Sequence, residues 1–100
     1  MTKTAFVTGA TAGIGLATVR RLVMDGWRCV ATGRRQERLD ALVAELGADK
    51  VLPLCFDVRD TAALDAALAS LPEGFREIDL LVNNAGLAQG LSAAQSANLD

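Results

Sequence analysis

Four short stretches of the chain hold residue types suited to binding phosphate and nucleobase. The first is Thr8-Gly9-Ala10-Thr11-Ala12-Gly13-Ile14-Gly15. It follows a short apolar run and precedes a segment of helical period. Gly9 permits a tight turn, the small residues at 10 to 13 let a ligand reach backbone atoms, and Gly15 lets a helix pack close to a sheet. A helix start offers unpaired N–H groups and about half a positive charge, so phosphate is the expected guest. A tight turn with no ligand is the plain alternative. A nucleoside-triphosphate loop is disfavoured, because no Gly-Lys-Ser/Thr occurs.

The second stretch is Thr32-Gly33-Arg34-Arg35. Sites that take NAD place a carboxylate at this point to bind the ribose 2′-hydroxyl. Here there is none, and two guanidinium groups stand ready for a 2′-phosphate, which predicts NADP as the cofactor. The alternative is a pair of solvated charges at the start of a helix. The third stretch, Phe56-Asp57-Val58-Arg59, follows another apolar run. Asp57 is placed to accept a hydrogen bond from an adenine amino group, with the Val58 backbone beside it, or else it simply opens the next helix. The fourth is Asn83-Asn84-Ala85-Gly86. Asn83 is expected to tie neighbouring strands, Asn84 to be the better ligand contact, and Ala85 and Gly86 to leave room for a ribose.

The elements that position these stretches follow from periodicity. Strands are predicted at Thr4–Thr8, Arg28–Thr32, Val51–Phe56 and Ile78–Val82, with Pro53 marking the third as an edge strand. Helices are predicted from Gly13 to Asp25, from Gln36 to Leu46 and from Thr61 to Leu71. Leu39, Leu42, Val43 and Leu46 show the i, i+3, i+4, i+7 spacing, and Asp60 is a candidate N-cap. Alternation of near-continuous apolar strands with helices predicts an α/β, doubly wound parallel sheet covered on both faces. An apolar fourth strand makes a poor open edge, so a further strand is expected to pair with it. Ser96–Asp100 reads as the first turn of another helix.

Composition narrows the function. The chain has 100 residues, a net charge of −2 and scattered arginines, so no basic field exists to hold nucleic acid or an anionic membrane. Four aromatic residues are too few for a base-stacking surface. No segment is long and apolar enough for a membrane helix or a secretory signal. Cys29 and Cys55 read as two buried, reduced thiols in strands, which fits a cytoplasmic location, with a disulfide or metal role as the lesser alternative. No metal site is assigned. There is no Tyr and no His, and Lys3 and Lys50 are the only lysines. A mechanism built on a His base or a Tyr-Lys couple therefore lacks a member here.

These residues resemble the short-chain dehydrogenases/reductases. Thr8–Gly15 fits the family's Thr-Gly-x-x-x-Gly-x-Gly motif and Asn83–Gly86 its Asn-Asn-Ala-Gly motif, at the family's usual separation. Three stretches look more narrowly like the NADP-dependent 3-hydroxy acid dehydrogenases, a group that includes malonic semialdehyde reductases and serine dehydrogenases. They are Ala31–Leu39, Leu71-Pro72 leading to Ile78-Asp79, and Asn83–Gly90. The resemblance implies a Rossmann-type fold and hydride transfer between NADP(H) and a small 3-hydroxy acid, in a cytosolic homotetramer. It places Gly9, Thr11, Ala12, Gly13 and Ile14 around the pyrophosphate and Arg34 and Arg35 on the 2′-phosphate. Asp57 and Val58 would face the adenine, and Asn84 the adjoining ribose.

The family's catalytic Asn, Ser, Tyr and Lys match no position here, and Asn98 precedes the motif that carries the Asn. The expectation is the N-terminal, cofactor-binding half of one domain, four strands and three helices, truncated before the catalytic residues and inactive alone. A non-catalytic NADP-binding sensor or regulatory module is the alternative. A methyltransferase on the same half-fold is disfavoured by Gly33-Arg34-Arg35.

Overall fold

From Thr4 to Thr8 every residue is buried, and this strand, β1, forms the middle of the sheet. The computed structural model describes residues 2–84. Within them follow α1 (Gly13–Met24), β2 (Arg28–Gly33), α2 (Gln36–Leu46), β3 (Val51–Cys55), α3 (Thr61–Ala69), a 3₁₀ turn at Glu73–Phe75, and β4 (Leu80–Asn83). The strands are all parallel, in the order β3-β2-β1-β4. This is the four-strand, three-helix arrangement expected of a doubly wound sheet. Pro53 lies in β3, an edge strand among the described residues, where its missing N–H costs no ladder bond on the outer side.

Side chains alternate across the strands and build two cores. Ala5 and Val7 of β1 and Cys29 and Ala31 of β2 point to one face. There they meet Val19 and Val23 of α1 and Leu39 and Leu42 of α2, the last two being positions that the helical spacing singled out. Phe6 and Val30 point to the other face and meet Leu71, Leu64 and Phe75. The two crossovers that lead from β1 to β3 thus share one side of the sheet, and the return to β4 uses the other.

Several boundaries differ from expectation: α1 and β3 each stop one residue early, at Met24 and Cys55, and β4 ends one residue later, at Asn83. α3 stops at Ala69 rather than Leu71, because Pro72 pushes Leu71 out of the helical region; Leu71 nonetheless stays buried at 3% exposure. β4 begins at Leu80 rather than Ile78. The Asp79 N–H donates to the Thr4 carbonyl at 2.8 Å, its carboxylate accepts from the Thr4 N–H at 2.9 Å, and Ile78 turns onto the Phe6 core. β2 runs one residue further, to Gly33.

Cys55 corrects the expectation of two buried thiols. It is exposed, while Cys29 is buried, and both are free. Cys55 ends the edge strand opposite Gly33, which has no side chain to cover it, whereas Cys29 lies in the inner strand β2. Asp60 does cap α3, accepting from the Ala63 N–H at 3.1 Å. Among the described residues β4 forms the second edge, with Leu81 64% exposed. The expected partner strand, the Ala85-Gly86 ribose space and the helix turn at 96–100 lie outside the described residues. No described helix is long and apolar enough to cross a membrane.

Candidate functional site

All four strands point the same way, so Thr8, Gly33, Cys55 and Asn83 end along one rim of the sheet. A cavity of about 690 Å³ opens there, within the usual size for a small-molecule site.

One wall is the turn from β1 into α1. Gly9 and Gly13 take φ of 61° and 57°, the left-handed region that side chains disfavour. The turn is tied to β2 by the Ala10 N–H, which donates to the Thr32 carbonyl at 3.0 Å. Gly15 is a close approach: a Cβ built on it would lie 1.9 Å from the Gly9 carbonyl oxygen. Ala12 occupies the N-cap position in extended conformation and makes no side-chain cap, and the first turn of α1 carries no acid. The leading N–H groups of α1 are therefore left for a ligand. Gly9, Thr11, Ala12, Ile14 and Gly15 line the cavity. Gly13 is not among the lining residues, and its contribution is the backbone angle.

The end of β2 forms the next wall, where the two arginines separate. Arg34 lines the cavity with Thr32 and Gly33, and Arg35 does not. Arg35 takes the N-cap position of α2, exposed and with extended backbone. Gly33 has no room for a larger residue while Thr11 keeps its rotamer, since a Cβ there would lie 2.7 Å from Thr11 Cγ2. No carboxylate stands at this point, and a side chain at Gly33 would have to displace the Thr11 methyl. Thr32 is fully buried, and its hydroxyl has no hydrogen-bond partner among the described residues.

The third wall follows β3. Phe56, Asp57, Val58 and Arg59 all line the cavity. Asp57 is paired with Arg59 at 2.7 Å, and its carboxyl is held down to about 2, first by the Arg59 side chain and next by the Arg59 backbone N–H. Arg34 adds a smaller attraction in the same direction. Sequence reasoning named Asp57 and Val58 but missed Phe56, Thr32 and Arg59. The available signal was Arg59, a cation two residues after an acid at a strand end.

β4 closes the floor. Asn83 Oδ1 accepts from the Thr8 hydroxyl at 3.0 Å, the strand-tying task expected of it. Asn84 lines the cavity and donates from Nδ2 to the Thr8 carbonyl at 3.3 Å. Its Oδ1 is free of hydrogen bonds to the described residues, which leaves an acceptor for a ligand.

An uncapped helix start, a guanidinium and the acceptor oxygens of Asp57 and Asn84 around one cavity suit a phosphorylated nucleotide. The residues fit NADP: donors face where its phosphates would lie, and no acid stands where a 2′-phosphate would be repelled.

Comparison with known proteins agrees with this geometry. Residues 3–100 match the family described as short chain dehydrogenase. The chain is 54% identical over 99 residues to serine 3-dehydrogenase of Agrobacterium fabrum, covering 99% of this chain and 39% of the relative. It is 54% identical over 94 residues to an NADP-dependent 3-hydroxy acid dehydrogenase of Salmonella typhimurium, covering 94% of this chain and 38% of the relative. Among solved structures, serine dehydrogenase from Escherichia coli superposes with a TM-score of 0.78 at 51% identity, over 81% of this chain and 37% of that one. The closed form of serine dehydrogenase complexed with NADP+ gives the same TM-score and identity, over 81% of this chain and 32% of that one. The chain thus spans about two fifths of the length of the curated relatives it matches.

Proposed function

Since the chain belongs to the short-chain dehydrogenase family, we propose that it supplies the NADP(H)-binding part of an oxidoreductase acting on a small 3-hydroxy acid or its 3-oxo partner. The observation that carries this reading is Arg34 on the cavity wall at the end of β2, where no carboxylate stands. When bound, the nicotinamide cofactor supplies the hydride or accepts it. The residues of this chain hold the rest of the molecule. The α1 start and the Gly9–Ile14 turn face the pyrophosphate through backbone N–H groups. Arg34 holds the 2′-phosphate, with Arg35 beside it from the α2 cap. Asp57 and Val58 meet the adenine edge, and Asn84 the ribose next to it. No proton-transfer role is given to any residue of a chain that lacks Tyr and His.

The substrate class rests on the names of the relatives, which are a serine dehydrogenase and a 3-hydroxy acid dehydrogenase. A small-molecule partner, a homotetramer and a cytosolic setting go with the same reading, and two free thiols suit that compartment.

The test is the ratio of NADP+ to NAD+ affinity, measured by calorimetry. A charge-assisted hydrogen bond to phosphate is worth about tenfold or more in affinity. Arg34→Asp should lower the ratio by at least about that factor. Arg35→Asp should lower it less, because Arg35 stands back from the wall. An unchanged ratio in both variants would refute the assignment.

A further inference from the structure

Asp57 and Arg59 make a contact that cofactor binding in general does not require. Asp57 Oδ1 accepts from the Arg59 backbone N–H at 2.9 Å and from its Nε at 3.1 Å. Oδ2 accepts from the same Nε at 3.1 Å and from Nη2 at 2.7 Å. Three hydrogens of one residue thus converge on one carboxylate. A carboxylate has about four lone-pair sites, so about one is left over. Both residues line the cavity, and the side chains are 35% and 60% exposed. An ion pair this exposed adds little to folding stability. Its physical effect is orientational: a planar fork and a backbone N–H together fix the plane of the carboxylate.

We propose that Arg59 is a positioning residue that holds the Asp57 carboxylate so that one acceptor faces the ligand, making the cavity select a purine edge bearing an amino group. The inference rests on the NADP reading of the cavity and extends it to the base. An adenine presents an amino donor to that acceptor. Hypoxanthine presents a carbonyl at the same place, so two acceptors would face each other. Without the fork, only the backbone N–H still holds Oδ1, so the plane of the carboxylate is no longer fixed and its discrimination between the two bases weakens.

The experiment compares NADP+ with its hypoxanthine analogue by calorimetry, in the unmodified protein and in Arg59→Leu, Arg59→Lys and Asp57→Asn. The unmodified protein should favour NADP+ by about three- to tenfold, the worth of one ordinary hydrogen bond. Arg59→Leu should shrink the preference to within about twofold while leaving the NADP+ to NAD+ ratio in place. Arg59→Lys, a point charge without the fork, should recover only part of it, and Asp57→Asn should abolish it. A purely structural role for Arg59 would weaken both ligands by one factor, and that result overturns the proposal. So does an unchanged base preference in Arg59→Leu. If the unmodified protein binds NADP+ without base preference, the positioning role fails and the cofactor reading stands. If it binds neither dinucleotide, both fall together.

Discussion

Replacing Gly15 by Ala should disrupt both the fold and the phosphate cradle, and the structure gives the scale. The new Cβ would lie 1.9 Å from the Gly9 carbonyl oxygen, 2.7 Å from the Gly9 carbonyl carbon and 3.2 Å from the Ala10 Cα. All three are backbone atoms in a turn already committed to positive φ at Gly9, so no rotamer change relieves the contact. Contacts of real Cβ atoms essentially never fall below 3.0 Å, so α1 must move away from the turn by about 1 Å. Val19 and Val23 anchor that helix in the core, and a gap of 0.5–1 Å forfeits about a quarter to a half of each dispersion contact. Overpacking typically costs about 1–3 kcal/mol, and a clash with unyielding backbone belongs at the top of that range. For a domain of this size, about 3 kcal/mol lowers the melting temperature by about 12 °C or more. Gly33→Ala is the matched control. Its Cβ would meet Thr11 Cγ2 at 2.7 Å, a methyl that can swing aside. It should cost less than about 1 kcal/mol, and Thr11→Ser, which removes the methyl, should restore the loss. Thermal unfolding followed by circular dichroism measures stability, and calorimetry with NADP+ measures the cradle. A Gly15→Ala protein that melts with the unmodified one, or that tolerates the change better than Gly33→Ala, would refute the reasoning.

Two further outcomes follow from charge and exposure. The Asp57 carboxyl should titrate near 2, and Arg59→Leu should return it toward the ordinary 3.8, read by carbon NMR of the side chain. Because the folded value is the lower one, the pair favours the folded state above the ordinary carboxylate range. That contribution fades as pH falls toward about 2. An unshifted Asp57 would refute the fork. The thiols should separate equally cleanly: exposed Cys55 should react with a thiol reagent in the native protein, and Cys29 only after unfolding. Burial pushes the Cys29 thiol up to about 11, so little thiolate is available. Two equally reactive native thiols would contradict this placement.

Much of the scaffold was legible in order along the chain. α2 spans the residues its periodicity marked, because Leu39, Leu42, Val43 and Leu46 must all reach one side of a helix whatever else surrounds it. The glycine turn was legible for the same local reason, since φ at Gly9 and Gly13 is a property of single residues. The end of α3 was legible too but misplaced. Pro72 carried the signal that the helix ends before Leu71.

Side-chain partnerships at the sheet rim were a different matter. Arg34 and Arg35 are neighbours of one type in the short link between β2 and α2, yet Arg34 lines the cavity and Arg35, at the N-cap position of α2, does not. Cys29 and Cys55 sit in equivalent apolar runs, and only their places in the strand order, inner and edge, separate a buried thiol from an exposed one. Arg59 looked like one more surface charge until the turn after β3 brought its fork onto Asp57. Periodicity and glycine placement act through the bonds of neighbouring residues, so the linear chain holds the helices, the strands and the phosphate turn. Which charge faces the ligand depends on where four separate strands end side by side, and that arrangement arises only when the sheet assembles.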